Sequence, residues 1–541
     1  VTEVAPERGT PAFARFTSRE LAVAAAASLL AAGLFWSPLL LGGALSGRDW
    51  ASHHWHYYDW VRTSLLEHGT LPLFMADAWV TKNFLGNAES PSLSPLTPAL
   101  LVMSTGAYLK LLIWLWSAAG LLGFWLLLRD LGAGAAVAAT AAAGFAFGGF
   151  TVSHVSVGHP WALGGAVLPW LVLLFRRAAL GNAGALLGAA ALNAVTIFGG
   201  QHQPFVWQNL FLGAFAVLWA VRVRAVFPLL GLAWLWALTF GLGAVKLLPM
   251  AAEFVHYNPE ARTSGFPVRV LLLSLVGRGQ NPDFAAGGLA FTHGAGWWEY
   301  AFYTGSVLLL VMLCGALAAR RAWPLLAIGV FFLLLTLERP FGLDLWGALD
   351  SLPVLRSQRS PSRFLFLALF AFLVAGGLGL ERGLCALREW SPQAARVLPL
   401  LLAFVVAGDL FLQSLPWQRA AVGPAIQSVD HRPRPFRIEQ RGEGARAELR
   451  GFSPNRLVYH VTASSPTRLV LPFRYGPWGP EWRVDGATAA EQGGRLALEL
   501  TPGERDVALR YRPAGLWLGT AITALTLLGV VGLWLRRRVA A

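Results

Sequence analysis

Apolar stretches long enough to cross a bilayer recur along almost the whole chain, and a soluble domain has no place to bury so many. Taking runs of roughly 17–25 apolar residues as the measure, the sequence predicts spans near 20–44, 109–128, 134–150, 161–175, 182–199, 204–221, 226–248, 303–319, 322–337, 364–381, 396–415 and 514–535. That makes about twelve crossings. Composition agrees: apolar residues make up 55% of the chain and charged ones 13%, against roughly 25% charged in soluble domains. The expected fold class is a mainly α, polytopic membrane protein.

A net charge of +14 would suggest nucleic acid in a soluble protein, but here much of the excess sits in short clusters between apolar runs. That is a topological pattern, so no nucleic-acid partner is expected. Arg129, Arg176 and Arg177, Arg222 and Arg224, Arg320 and Arg321, Arg382 and Arg388, and Arg536 to Arg538 fall on alternate sides of the span count. With Arg8, Arg15 and Arg19, this places both termini in the cytoplasm, residues 1–19 forming the N-terminal segment and 514–541 the final span with its basic tail. The first span reads as a retained anchor, since no small-residue cleavage site follows it. The longer loops, 45–108, 151–160, 200–203, 249–302, 338–363 and 416–513, then lie outside. Cys314 and Cys385 define no disulfide framework.

The last of these loops differs in kind. "RLVYHVTASS", "TRLVLPF", "WRVDGA" and "RLALELTPGERDVALRYRP" alternate apolar and polar residues between Asp-Gly and Pro-Gly turns. Such alternation predicts a small C-terminal extracytoplasmic antiparallel β domain over 416–513, following a transmembrane domain over 20–415.

The densest chemistry lies in "GRDWASHHWHYYDW", residues 47–60, directly after the first span. A continuous helix would set Asp49, His53, His56 and Trp60 on one stripe, with Asp59 three residues from His56. An acid so close to a span is costly unless paired or used, and Asp49 is the candidate general base, its basicity raised by partial desolvation while a nearby cation keeps it ionised. Interfacial anchoring is the plain alternative for the aromatics and histidines. Asp49, His53 and His56 also have the donor types for a divalent metal ion. The rest of the loop adds Asp77, Lys82, Asn87 and Glu89.

Other loops add cations and acids. "LRSQRSPSRF" spaces Arg356, Arg359 and Arg363 at three and four, so that a helical turn would aim their forks at one phosphate; anionic head groups would suit them equally. Glu253, His256 and Arg262, then His293 and Glu299, occupy the loop over 249–302. His159 stands in "SVGHPW", and Gln201, His202 and Gln203 in "GGQHQPFVW".

Taken in order, the Gly-x-Asp after the first span, the Ser/Pro-rich return at "ESPSLSPLTPAL", "GGQHQPF", "YTG", "LPVLRSQRSPSRF" and the late "WRVDG" to "PGERDVALRYRP" segment resemble the bacterial YfhO-like membrane proteins of the GT-C glycosyltransferase superfamily. The likeness spans nearly the whole chain through short motifs. It implies a GT-C-like membrane domain in the bacterial cytoplasmic membrane, with an inverting transfer of sugar from a polyprenyl-phosphate donor to a hydroxyl of a glycan, polymer, lipid or protein on the outer leaflet. Asp49 takes the position of the family's acid. Arg356, Arg359 and Arg363, with Arg262 or Lys82 in reserve, would then meet the donor phosphate. His53, His54, His56, Asp59, Glu89, Glu253 and Glu299 would assist or serve the acceptor, and His159, His202 and Gln203 would line the pocket. The histidine cluster departs from a simple Asp-Glu pairing, which leaves a divalent ion open. A lipid or glycan flippase without transfer chemistry is the rival reading. It calls for ionisable groups at mid-membrane depth and matched halves; Asn193, Lys246 and Asp409 are the main candidates within the spans, and no internal repeat stands out.

Overall fold

A computed structural model describes residues 16–76, 81–254, 265–278, 297–350, 360–426, 439–441, 444–475 and 481–540, together with 280, 352, 355 and 358. Among these, ten helical stretches are long and apolar enough to cross a membrane: Ser18–Phe35, Thr105–Asp130, Ala135–Val157, Pro160–Ala179, His202–Val223, Phe227–Phe254, Ser306–Thr336, Pro361–Trp390, Pro392–Ala420 and Leu516–Leu533. Local chemistry sets their starts. Thr17 and Glu20 form a capping box on the first, and Ser104 and Ser391 cap two others through their side chains.

Three expected spans are drawn differently. The segment over 182–199 folds as the shorter helix Ala183–Phe198. The pair over 303–319 and 322–337 is one uninterrupted helical stretch, Ser306–Thr336, with a tightened turn at Cys314–Ala318. Against the helical stretch Pro361–Trp390, Val311 and Cys314 meet Gly376 and Gly379, whereas Phe372 meets Gly329 and Phe364 meets Phe332. The first arm therefore runs parallel to that helix and the second antiparallel, so the chain reverses near Ala318. Gly379 permits the close crossing, since a Cβ there would strike the carbonyl oxygen of Cys314.

The two ends of the bundle differ chemically. Asp130, fully buried at the C-terminus of Thr105–Asp130, accepts from Arg176 and Arg177. Arg321 donates to the Leu131 carbonyl at 3.0 Å, and Arg382 to that of Leu317 at 2.9 Å. About 39 Å away along the same helix, Thr105 donates to the buried Asp59 at 3.0 Å, and beyond it sits the β domain.

The C-terminal β region forms two antiparallel four-stranded sheets. One orders Ala445–Ser453, Arg456–Ala463, Gly503–Tyr511 and Trp482–Asp485; the other Thr488–Gln492, Arg495–Leu500, Thr467–Arg474 and Glu439–Arg441. Burial alternates along Arg456–Ala463 as the sequence pattern predicts. Leu457, Tyr459 and Val461 of one sheet share a core with Leu469, Leu471 and Phe473 of the other, which makes a sandwich. The strands begin later than residue 416, because Pro392–Ala420 carries the helix four residues further.

Phe74, from the loop after the first span, inserts into that sandwich core, 4.8 Å from Trp482 and 5.1 Å from Tyr511 between ring centres. Asn455 holds the same loop, accepting from the Leu73 amide at 2.7 Å and donating to the Leu71 carbonyl at 2.9 Å. Trp60 donates to the Phe74 carbonyl at 2.9 Å. The sandwich thus fixes the segment that leads towards Glu89.

Candidate functional site

The expected stripe of Asp49, His53, His56 and Trp60 does not form. Trp50–His54 is a π-helical turn that passes into the α-helix Trp55–His68, and its extra residue per turn rotates the side chains out of 3.6-residue register. His56 turns back and donates from Nε2 to the Ala51 carbonyl, 2.9 Å away. His53 and His54 face Glu89 instead, Asp49 faces His159, Asp59 is spent on Thr105, and Trp60 on Phe74.

Backbone contact sets the Asp49 geometry. Gly158 has φ +112°, and a Cβ there would collide with the Trp50 amide. Trp50 Nε1 donates to the Val155 carbonyl at 2.9 Å. The chain around Asp49 is thereby pressed against the turn that carries His159.

His159 Nε2 lies 2.7 Å from Asp49 Oδ2, and His159 Nδ1 lies 2.8 Å from Nδ1 of the buried His154. When His159 donates to the carboxylate as a neutral ring, its Nδ1 accepts from His154, whose Nε2 is left without a partner. Burial is the largest single influence and acts to raise the Asp49 pKa, but the His159 hydrogen bond and the charges of His159, His54 and Arg48 together outweigh it; the net shift is downward. The expectation that desolvation would make this acid more basic is thus reversed: Asp49 is an ionised acceptor at neutral pH.

A stack extends from this pair. The Trp161 ring lies 5.1 Å from that of His159 at 26°, and the Arg363 guanidinium sits 4.7 Å from the centre of Trp161. Arg363 Nε donates to Glu299 Oε2 at 2.6 Å, Nη2 donates to Oε1, and Nη1 to Gln203 Oε1. Its fork is committed to protein acceptors, so Arg363 positions the stack rather than offering a free cation. Among the described residues, Arg48 is an exposed cation beside Asp49, lying 5.2 Å from the centre of the Trp298 ring, itself 6.3 Å from His159.

On the other side of Asp49, His53 Nε2 stands 3.1 Å from Glu89 Oε2. His54, His53 and Glu89 each present a ligand-type atom within 4.8 Å of the others. These three, rather than Asp49, His53 and His56, are the metal-competent group among the described residues. Burial raises the Glu89 pKa, but the His53 hydrogen bond and the charges of His54 and His202 hold it well below the usual carboxylate range. Burial pushes the His54 imidazole down to about 3. The Glu89 turn is braced by Asn87, which accepts the Glu89 amide at 3.0 Å, and by buried Lys246, which donates to the Ser90 carbonyl. The His54 and His159 rings are 6.2 Å apart, so both clusters form one continuous site.

Of the other expected residues, His202 opens the helix His202–Val223 within electrostatic reach of Glu89, Arg363 and Lys246. Glu253 occupies the last turn of Phe227–Phe254. Asp77, His256, Arg262, His293, Arg356 and Arg359 lie outside the described residues, as does the Lys82 side chain. Sequence reading passes over Arg48, His154 and Trp161. The signals were present: Arg48 adjoins Asp49, and "SHVSVGHPW" places two histidines five residues apart around a glycine. No protein-family model and no curated protein matches the chain.

Proposed function

We propose that the chain is an inverting GT-C-type glycosyltransferase of the bacterial cytoplasmic membrane, moving a sugar from a polyprenyl-phosphate donor to a hydroxyl acceptor. The observation that carries this reading is the Asp49 carboxylate, ionised and aimed by His159 at 2.7 Å, beside the exposed Arg48 at one end of the bundle. The resemblance to YfhO-like proteins belongs to the same proposal.

The acceptor oxygen attacks the anomeric carbon while Asp49 takes its proton, and His159 holds the carboxylate in place. The bond from the anomeric carbon to the phosphate oxygen breaks, its electron pair leaving on that oxygen. Arg48 meets the developing charge. Attack opposite the leaving group inverts the anomeric centre.

The arginines support one sidedness. Arg176, Arg177, Arg321 and Arg382 gather at the end opposite the site, which supports reading that end as cytoplasmic and the site and sandwich as outside. A lipid phosphate confined to the interface would reach Asp49 there. We read the reversal near Ala318 as two crossings, which with Ala183–Phe198 returns the count to twelve and puts both termini inside.

A flippase is favoured by one observation, the buried Lys246 within a span. Its ammonium, however, holds the Ser90 carbonyl and braces the Glu89 turn. Incubating the purified full chain with a panel of polyprenyl-phosphate sugars and acceptor glycans tests the proposal. It predicts product with inverted anomeric configuration; movement of intact donor between leaflets without any sugar transfer would favour the flippase.

A further inference from the structure

The π-helical turn at Trp50–His54 places two successive histidines where an α-helical turn would separate them further around the axis. Both then face one carboxylate. His53, His54 and Glu89 bring one nitrogen, one nitrogen and one oxygen within 4.8 Å of one another. This is a compact donor set from two segments 36 residues apart, joined by the His53 to Glu89 contact.

The His53 to Glu89 contact leaves His54 unaccounted for. The residue is 3% exposed, and its Nδ1 is buried without any hydrogen-bond partner. Leaving a buried polar nitrogen unpaired costs about 1–3 kcal/mol in general, and a lone pair directed at a cation removes that cost. Independent elements also brace the turn bearing the third donor: Asn87 within the loop and Lys246 from a distant helix. Such outer support is what holds metal ligands in register.

We propose that His53, His54 and Glu89 form a binding site for a single divalent cation of the zinc class. Two imidazoles and a carboxylate suit zinc-like cations better than calcium or magnesium, which prefer oxygen ligands. Three protein donors leave a tetrahedral ion one open position for water or a ligand oxygen, the pattern of reactive rather than purely structural zinc sites. The cluster adjoins the Asp49 pair, the His54 and His159 rings lying 6.2 Å apart. The inference concerns cation binding and stands whether or not sugar transfer is the activity.

The test uses the full chain in lipid nanodiscs, stripped with chelator, then titrated with Zn²⁺ alone and, for spectroscopy, Co²⁺ alone. Wild type is expected to retain about one equivalent of Zn²⁺ after desalting and to give the visible absorption of low-coordinate Co²⁺. Glu89→Gln and His53→Gln should each weaken binding by at least the roughly 10- to 100-fold that loss of an outer partner costs. His56→Gln, two residues beyond the turn, should bind as wild type does. His53 is only half-buried, so its variant remains interpretable if changes at His54 impair folding. Absence of bound Zn²⁺ in wild type, or equal retention in Glu89→Gln and His53→Gln, overturns the proposal. So does loss in His56→Gln alone.

Discussion

His159 Nε2 and Asp49 Oδ2 stand 2.7 Å apart although 110 residues separate them in the chain. Two segments must pack backbone to backbone for this, and Gly158 lets them do so. The pair links the fold to the chemistry: a carboxylate is kept ionised and held at a fixed angle where helices meet the loop after the first span.

Removing the His159 donor should be visible as a pH shift. Because that hydrogen bond lowers the Asp49 pKa, His159→Phe lets burial raise it. The acid limb of the kcat/KM profile for sugar transfer should move to higher pH. An unchanged limb would mean that Asp49 does not govern it.

Arg363 is buried and paired through two bonds with Glu299. Breaking such a pair from one side leaves an uncompensated charge, at a cost of about 3–5 kcal/mol. Arg363→Met should lower stability by that order, measured by thermal unfolding in detergent. Adding Glu299→Met should restore much of it, while a merely additive loss would contradict the pairing.

Stability should also fall on acidification because of His54. Its folded pKa is depressed to about 3 from an ordinary 6.5, so its contribution is complete above 6.5 and declines as pH drops towards 3. The unfolded chain takes up a proton there that the folded chain refuses. The slope is at most about 1.4 kcal/mol per pH unit. His54→Asn should flatten the stability profile over that window, by thermal scans in metal-free buffer.

Topology can be read with native chemistry. Cys385 is exposed and lies near Glu381 and Arg388 at the arginine-rich end. A membrane-impermeant maleimide should label it only after permeabilisation. A cysteine introduced by Asp506→Cys on the sandwich, at an exposed side chain, should label in intact cells; the opposite pattern would invert the proposed orientation.

Phe74→Ala should free the first loop from the sandwich. Deleting a buried aromatic costs about 3–5 kcal/mol, and the effect should appear as faster proteolysis near residues 69–76 and weaker transfer. Normal protease resistance would mean that the sandwich does not hold the loop.

Much of the architecture was legible because hydropathy reports burial in lipid directly. The helices Thr105–Asp130, Pro361–Trp390 and Pro392–Ala420 surround the predicted spans, and strict alternation announced the strands, as in Arg456–Ala463. The reversal near Ala318 was legible as a gap between two apolar runs, though its backbone stays helical through the turn. The site was harder. Asp49, His159 and Gln203 stood out as polar residues at loop ends, but their partners depend on which segments cross. His154 sits inside an apolar helix and looks like any core histidine until His159 folds back on it. The π turn at Trp50–His54 was invisible to a periodicity of 3.6, which is why His56 was grouped with Asp49 in place of His54. Arg363 was legible as a cation, but not the acid that would occupy it.

The proposed role of Asp49 is to accept the proton in a sugar transfer. Its most direct test is the rate of transfer from polyprenyl-phosphate sugar by the full chain and by Asp49→Asn, both shown by thermal melting to be folded. A loss of about 10²- to 10⁴-fold in kcat is expected with donor binding retained. Transfer by Asp49→Asn at the wild-type rate would contradict it.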